Sequence, residues 1–218
     1  MADGFANAAG KIIVERMIAV IHENRAFLSE IDGAIGDGDH GVNMDKGFTL
    51  VEKEIEGEEM SMSDALKTLG RTLVMEIGGS MGPLYGSMFR KMARASRDEE
   101  TVTAQTLAEM LESAYESVRE LGDAKPGDKT IVDTLDPAST AAREAADRGA
   151  GLDATIDETI AAAERGWKST EDMVAKIGRS ARLGERSKGT LDAGATSCYL
   201  LLKTMGETMK ELAAGEDV

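Results

Sequence analysis

Apolar residues recur along this chain at intervals of three and four, which is the spacing of one face of an α-helix. Eight such stretches, separated by short polar or glycine-rich segments, indicate eight amphipathic helices. The predicted helices cover residues 5–29, 42–56, 62–77, 83–95, 107–121, 128–146, 156–177 and 195–212. The pattern therefore favours an all-α protein.

Capping and helix-breaking residues support these limits. The candidate N-caps are Ser61 or Ser63 for the third helix and Asp128 for the sixth, because their side-chain oxygens can accept a hydrogen bond from a free backbone N–H group. Pro137 lies inside the sixth pattern and is expected to kink that helix. The seventh pattern keeps one apolar phase throughout, so a single long helix is expected there.

Short connections place successive helices antiparallel, in an up-and-down bundle or a closed barrel. The whole chain, residues 1–218, is expected to form one domain. In such an arrangement the loops before helices two, four, six and eight all lie at one rim. The residues of these four loops are therefore the first candidates for a functional site.

Composition agrees with a helical protein and excludes several functions. Aromatic residues make up only 4% of the chain, and its single cysteine, Cys198, lies on an apolar stripe and is expected in the core. A net charge of −15 argues against binding a nucleic-acid backbone. No apolar run has membrane-spanning length and no signal peptide is recognisable, so we expect a soluble cytoplasmic protein.

The first of the four loops concentrates candidate chemistry. Asp32, Asp37 and Asp39 alternate with glycines, which are unfavourable inside a helix and supply positive φ angles in a loop. Carboxylate oxygens are hard ligands that suit Mg²⁺. A bound cation would also reverse the local charge of an acidic protein, so this loop is predicted to bind metal.

The last of the four loops reverses the local charge. Arg179, Arg182, Arg186 and Lys188 lie close together before Asp192, the candidate N-cap of the eighth helix. Guanidinium groups suit phosphate oxygens, although a loop of surface salt bridges has the same composition. A metal site, helix N-termini and arginine at one rim together favour phosphoryl transfer. The chain contains neither a Walker A sequence nor an EF-hand, so a different kind of phosphate site is expected.

Four segments in order carry a family resemblance over essentially the whole chain. They are Asp32-Gly-Ala-Ile-Gly-Asp-Gly-Asp-His-Gly-Val-Asn43, Gly78-Gly-Ser-Met-Gly-Pro-Leu-Tyr-Gly86, Lys125-Pro-Gly-Asp-Lys-Thr130, and Leu183-Gly-Glu-Arg-Ser187 with Asp192-Ala-Gly-Ala-Thr196. The chain thus resembles the L subunit of dihydroxyacetone kinases, which binds the nucleotide. The resemblance implies a closed barrel of eight antiparallel helices with the nucleotide at one rim.

The resemblance also implies a set of site residues. Asp32, Asp37 and Asp39 would hold two Mg²⁺ ions on the phosphates of ADP or ATP, and Arg179 would be the catalytic residue beside the transferring phosphoryl group. The implied nucleotide-binding residues are His40, Gly41, Val42, Asn43, Gly79, Ser80, Met81, Gly122, Thr130, Ile131, Arg179, Asp192, Ala193 and Gly194.

The implied partners follow the family. A separate K subunit holds the ketose covalently on a histidine, so His40 is not that residue. One branch uses ATP, whereas the other recharges bound ADP from a phosphotransferase-system M subunit. A homodimer is compatible with this organisation, and neither nucleic acid nor a membrane is expected as a partner.

Two positions depart from the family pattern and leave the ketose and the nucleotide mode open. Met81 stands where a hydroxyl-bearing residue is usual, and Ala193 replaces a proline. Alternative functions are an ATP-dependent kinase component for another short ketose such as a tetrulose, and a nucleotide-state signalling module acting on a transcription regulator. A helical scaffold with a structural metal is a third interpretation.

Overall fold

The computed structural model describes residues 4–215, in which eight α-helices surround one buried apolar cluster. The helices are α1 (Lys11–Ile35), α2 (His40–Ile55), α3 (Met62–Glu76), α4 (Met81–Ser96), α5 (Ala104–Gly122), α6 (Val132–Asp147), α7 (Leu152–Ser169) and α8 (Ala193–Ala214). Each helix packs against the next one in sequence, and α8 packs against α1. The ends of the predicted domain, residues 1–3 and 216–218, lie outside the described residues.

The chain is mostly helical, but the prediction of a helix from residue 5 is wrong. Strand β1 (Gly4–Ala6) pairs antiparallel with strand β2 (Thr101–Thr103), and residues 7–9 form a short 3₁₀ helix. Phe5 is buried opposite Val102, so its apolar character serves the strand pair instead of a helix face. The apolar pattern alone could not distinguish these two uses.

The first helix begins and ends six residues later than predicted, and the carboxylate loop is shorter. Helix α1 continues to Ile35, so Asp32 lies in its last turn, and α2 begins at His40 instead of Val42. Ile31 and Ile35 are buried, and this apolar contact keeps the last turn helical in spite of Gly33. Only residues 36–39 connect the two helices.

The seventh helix is shorter than predicted. It begins at Leu152 and ends at Ser169, and a 3₁₀ turn over Thr170–Asp172 leads into an extended Met173. The single helix predicted over 156–177 is therefore wrong in its last third. Carbonyl groups at this end accept hydrogen bonds from the distant Lys129 side chain, an interaction that helical periodicity does not report.

The predicted cap Asp128 does not cap α6, whose N-cap is Ile131 and lacks a side-chain hydrogen bond. The Asp128 carboxylate accepts instead from the Lys125 N–H group, 2.8 Å away. Asp133 is buried and accepts from the N–H groups of Gly127 and Thr130, so this carboxylate organises the turn before α6.

Other sequence predictions are confirmed. Ser61 caps α3 by accepting from the Asp64 N–H group at 3.1 Å, and Asp192 caps α8 by accepting from Ala195 at 2.8 Å. Cys198 is fully buried. Between residues 4 and 215, no helix is both long and apolar enough to cross a membrane.

Candidate functional site

The loops before α2, α4, α6 and α8 meet at one end of the molecule, as their parity predicted. Together with residues 177–180 they line an open cleft of about 780 Å³. The C-terminal ends of α1, α3 and α5 lie at the same end. Four helix N-termini therefore approach one cavity, and their free N–H groups favour an anionic ligand.

Three carboxylates form a cluster on one side of this cleft. Oxygen atoms of Asp32, Asp37 and Asp39 lie within 4.8 Å of one another. The connection is tight because Gly38 adopts a φ of +76° and a Cβ on Gly36 would lie 2.5 Å from Asp32 Oδ1. Three converging oxygen donors fit a hard divalent cation such as Mg²⁺.

Arg179 supplies the positive charge beside these carboxylates. Its guanidinium forms an ion pair with Asp37 and lies 3.3 Å from Asp39 Oδ2. One guanidinium offsets only one of the three carboxylate charges, so the cluster stays negative, which fits it as a cation site. Within the described part of the chain, Arg182, Arg186 and Lys188 are exposed and form no ion pair, so the alternative of surface salt bridges does not account for them.

Two helices at the cleft begin at residues that could cap them but do not. The N-cap residues Asp39 of α2 and Ser80 of α4 make no side-chain hydrogen bond to their helices. At the opposite end of the molecule, by contrast, Ser61 and Thr103 do cap α3 and α5. The His40 N–H group donates to Asp32 Oδ2 at 3.2 Å, but the N-cap side chains leave the other N–H groups of these first turns available to phosphate oxygens.

His40 begins α2 and is held by a hydrogen-bonded chain. Its Nε2 lies 2.8 Å from Ser197 Oγ, which lies 2.6 Å from the Tyr85 hydroxyl, and Tyr85 donates to the Gly194 carbonyl at 2.9 Å. Burial lowers the pKa of His40 to about 4, although the nearby Asp32 carboxylate opposes this shift. His40 is therefore neutral at pH 7 and contributes a hydrogen-bonding ring, not a positive charge.

Asp192 joins the rim of the cleft to the start of α8. Burial raises the pKa of its carboxyl group to about 7, even though the hydrogen bond from the Ala195 N–H group opposes the shift. The Lys129 ammonium also lowers this pKa, whereas Asp133 and Asp32 raise it.

The remaining wall of the cleft is apolar. Leu84, Val118, Leu121 and Ile177 line it together with Met81, and Leu121 is 56% exposed. An exposed apolar wall beside a polar, anion-binding side matches the two halves of a nucleotide, its base and its phosphates.

The cleft contains most of the site residues that the sequence predicted. Its lining includes Asp32, Asp37, Asp39, His40, Asn43, Gly79, Ser80, Met81, Gly122, Thr130, Ile131, Arg179, Asp192, Ala193 and Gly194. Gly41 and Val42 lie outside the lining. Gly41 packs α2 against α1, since a Cβ there would lie 2.1 Å from the Arg25 carbonyl oxygen, and Val42 is 45% exposed. Binding of a nucleotide by these residues stays a prediction.

Sequence reasoning did not identify three polar residues of the site as functional candidates. Lys129 is buried at 1% exposure and lines the cleft, and Tyr85 and Ser197 hold His40. All three lie in or next to the segments that carried the resemblance. Their roles depend on partners far away in the sequence, so spacing gave no signal beyond that proximity.

Comparison with known proteins shows similarity to kinases that are named for small ketoses. The DAK2 domain family matches residues 34–207. The ADP-binding subunit DhaL of PEP-dependent dihydroxyacetone kinase 1 from Listeria innocua is 39% identical over 189 residues, covering 86% of this chain and 89% of that protein. The corresponding DhaL subunit from Escherichia coli is 34% identical over 186 residues, covering 85% and 89%.

Two further similarities concern proteins of greater length. The L-erythrulose kinase of Pectobacterium atrosepticum is 31% identical over 193 residues, which cover 87% of this chain and 33% of that protein. The crystal structure of the C. freundii dihydroxyacetone kinase, in complex with AMP-PNP and Mg²⁺, has a TM-score of 0.68 and 22% identity. The match covers 94% of this chain and about a third (34%) of the C. freundii chain, and it shows a shared fold.

Proposed function

Because this chain belongs to the DAK2 domain family, we propose that it is the nucleotide-binding, phosphoryl-transferring subunit of a dihydroxyacetone-type kinase. The observation that supports this most directly is the juxtaposition in one cleft of three carboxylates, Arg179 and helix N-termini without side-chain caps. Phosphoryl transfer needs mainly positioning and charge stabilisation, and these groups supply both.

The proposed roles follow the geometry of the cleft. Asp32, Asp37 and Asp39 hold two Mg²⁺ ions, which when bound neutralise phosphate charge. The first turns of α2 and α4 donate N–H groups to phosphate oxygens, and the apolar wall accommodates the base. Arg179 stabilises the charge that develops on the transferring phosphoryl group.

The nucleotide is proposed to be ADP that stays bound and is recharged by a phosphotransferase-system M subunit. The L. innocua and E. coli relatives, which match nearly over their full lengths, are named ADP-binding subunits of PEP-dependent kinases. The acceptor is dihydroxyacetone on a separate K subunit, in a complex located in the cytoplasm. We further infer that the eight helices close into a barrel, which the packing of α8 against α1 supports.

A second candidate is an ATP-dependent kinase component for a tetrulose. The similarity to an L-erythrulose kinase over most of this chain favours it. The two candidates differ in the nucleotide carried after purification. Retained ADP that does not exchange with added ATP supports the first, and a freely exchanging site supports the second.

The metal assignment is tested with Asp37→Asn, which removes one ligand charge while keeping the side-chain volume. We expect Mg²⁺-dependent nucleotide binding, measured by calorimetry, to weaken at least about 10-fold, since ligand loss in metal sites has effects of this size or larger. The circular dichroism spectrum should be unchanged.

The matched control is Asp45→Asn, which changes a carboxylate of α2 that pairs with His22 outside the cleft. It should bind Mg-nucleotide like the wild type. Wild-type affinity in Asp37→Asn would contradict the metal site, and failure of the wild type to bind any nucleotide would contradict the proposed function.

A further inference from the structure

Lys129 is a buried cation whose partners are backbone carbonyls instead of a carboxylate. Its Nζ donates to the carbonyl oxygens of Thr170 at 2.8 Å, Ser187 at 2.7 Å and Met173 at 3.2 Å, and also to that of Thr190. An ammonium has three hydrogens and no acceptor, which suits a site made only of carbonyl groups; with four carbonyls, one hydrogen is shared between two of them.

These carbonyls bracket the segment that carries Arg179. We call residues 173–190 the arginine loop. Thr170 and Met173 lie where this loop begins, and Ser187 and Thr190 lie where it ends. A single ammonium group therefore ties both ends of the loop to the turn before α6.

Other hydrogen bonds close the base of the loop around the same point. Ser187 Oγ accepts from the Ala175 N–H group at 2.9 Å, and the Gly189 N–H group donates to the Glu171 carbonyl at 2.8 Å. The Lys176 N–H group donates to the Asp128 carbonyl at 3.1 Å. The loop tip itself carries Arg179, which is 59% exposed at its side chain and contacts only the carboxylate cluster through ion pairs.

The backbone of Lys129 indicates that its position is imposed by these contacts. Its φ is +64°, in the left-handed region that residues with a Cβ atom adopt rarely. Such conformations persist where surrounding interactions require them, and they concentrate at functional sites. Burial lowers the pKa of the Lys129 ammonium, while the carboxylates of Asp192, Glu171 and Asp172 oppose that shift.

We propose that Lys129 is a positioning residue, which holds the arginine loop so that Arg179 lies over the carboxylate cluster. This inference rests on the proposed function, because it assigns Lys129 an effect on the step that Arg179 assists. A positioning role differs from a general stabilising role in one respect. Loss of Lys129 should specifically remove the increase in the rate of phosphoryl transfer that Arg179 provides.

The test is Lys129→Met, which keeps most of the side-chain length and removes the donors. Phosphoryl transfer, measured with the K subunit, should fall about 10- to 100-fold, since small displacements of a catalytic group have effects of this size. The affinity for Mg-nucleotide should change by less than about tenfold, because the carboxylates and helix N-termini remain. Trypsin should cleave faster after Arg179, Arg182 and Arg186.

A double-mutant cycle distinguishes positioning from general destabilisation. Arg179→Ala should strongly reduce the rate of phosphoryl transfer in the wild type. In the Lys129→Met background, the fold-decrease caused by Arg179→Ala should be about ten times smaller. The matched control is Lys176→Met, which removes an exposed lysine of the same loop that pairs with Asp128. It should match the wild type in transfer and in trypsin resistance.

Several results would overturn the inference. A wild-type rate of phosphoryl transfer in Lys129→Met would do so. A fold-decrease in the double variant equal to the product of the two single fold-decreases would also do so. If Lys129→Met does not fold, Lys129→Gln decides, because its shorter amide side chain keeps only two donor hydrogens for these carbonyls. Wild-type transfer and trypsin resistance in that variant would reject the inference. A wild-type chain without nucleotide binding or transfer would contradict the proposed function instead, and the trypsin comparison would still test whether Lys129 holds the loop.

Discussion

Asp192 performs two tasks at the start of α8. Its carboxyl group caps the helix through the Ala195 N–H group, and it lines the cleft beside Ala193 and Gly194. Burial raises its pKa to about 7, well above the ordinary value of 3.8. The folded protein therefore retains a proton that the unfolded chain releases between about pH 4 and pH 7, so this group lowers the free energy of unfolding as the pH rises through that range.

The corresponding prediction concerns Asp192→Asn. The amide oxygen can still accept from the Ala195 N–H group, but the titration is removed. The free energy of unfolding of the variant minus that of the wild type should rise by about 1–3 kcal/mol from pH 4.5 to pH 8, since one pKa unit corresponds to about 1.4 kcal/mol. Urea denaturation at both pH values measures it.

The same change at an exposed helix start serves as control. Asp153→Asn in the first turn of α7 should leave a pH profile parallel to that of the wild type. A parallel profile for Asp192→Asn as well would show that Asp192 does not titrate in this range.

At the level of elements, the packing of α6 against α7 shapes the turn beneath the cleft. Pro137 lies inside α6 and has no N–H group, so the Asp133 carbonyl four residues earlier lacks its helical donor. Gly166 of α7 lies directly against that carbonyl: a Cβ at Gly166 would be 2.1 Å from the Asp133 oxygen and 2.7 Å from Pro137 Cγ. The absence of a side chain at residue 166 allows the two helices to approach this closely.

Gly166→Ala should therefore destabilise the protein, even though alanine favours a helix. We expect a loss of about 1–3 kcal/mol in the free energy of unfolding, the usual effect of overpacking. Gly33→Ala in α1 is the matched control, because its Cβ would meet only one atom at an ordinary 3.8 Å. That variant should be neutral or more stable by up to about 1 kcal/mol in urea denaturation. Equal stability of the two variants would refute this account of the α6–α7 contact.

Across the whole molecule, the candidate functional site and the contacts that fix the N-terminal segment lie at opposite ends. The rim described above carries the cleft, whereas the opposite end carries the strand pair and Asn7. The buried Asn7 amide group donates to Ser63 Oγ at 2.9 Å and to the carbonyls of Ser96 at 2.8 Å and Glu99 at 2.9 Å. It thereby joins the N-terminal segment to the beginning of α3 and the end of α4.

Asn7→Ala should lower stability without changing the cleft. We expect about 2–3 kcal/mol less free energy of unfolding, because several buried polar groups lose their partner. Nucleotide affinity per folded molecule should equal that of the wild type. Asn24→Ala, which removes one hydrogen bond to Val20 within α1, should cost less than about 1 kcal/mol. A changed nucleotide affinity in Asn7→Ala would show that the two ends are coupled.

Features that depend on neighbours in the chain could be predicted from the amino-acid sequence. Helical periodicity predicted eight helices and the parity that collects four loops at one rim, and residue type predicted the caps at Ser61 and Asp192. The spacing of Asp32, Asp37 and Asp39 predicted a carboxylate cluster. Each of these properties is encoded within a few residues, where propensity, capping and glycine geometry act.

Features that depend on distant partners could not be predicted in this way, because they are set by the packing of the folded molecule. The end of α7 and the path of the arginine loop follow from Lys129, whose acceptor at Ser187 is 58 residues away. The His40 ring is hydrogen-bonded to Ser197, 157 residues away, and Phe5 joins a strand because Val102 lies opposite. Burial and hydrogen-bond partners are properties of the packed molecule, so an apolar pattern could place these residues on elements but could not assign their contacts.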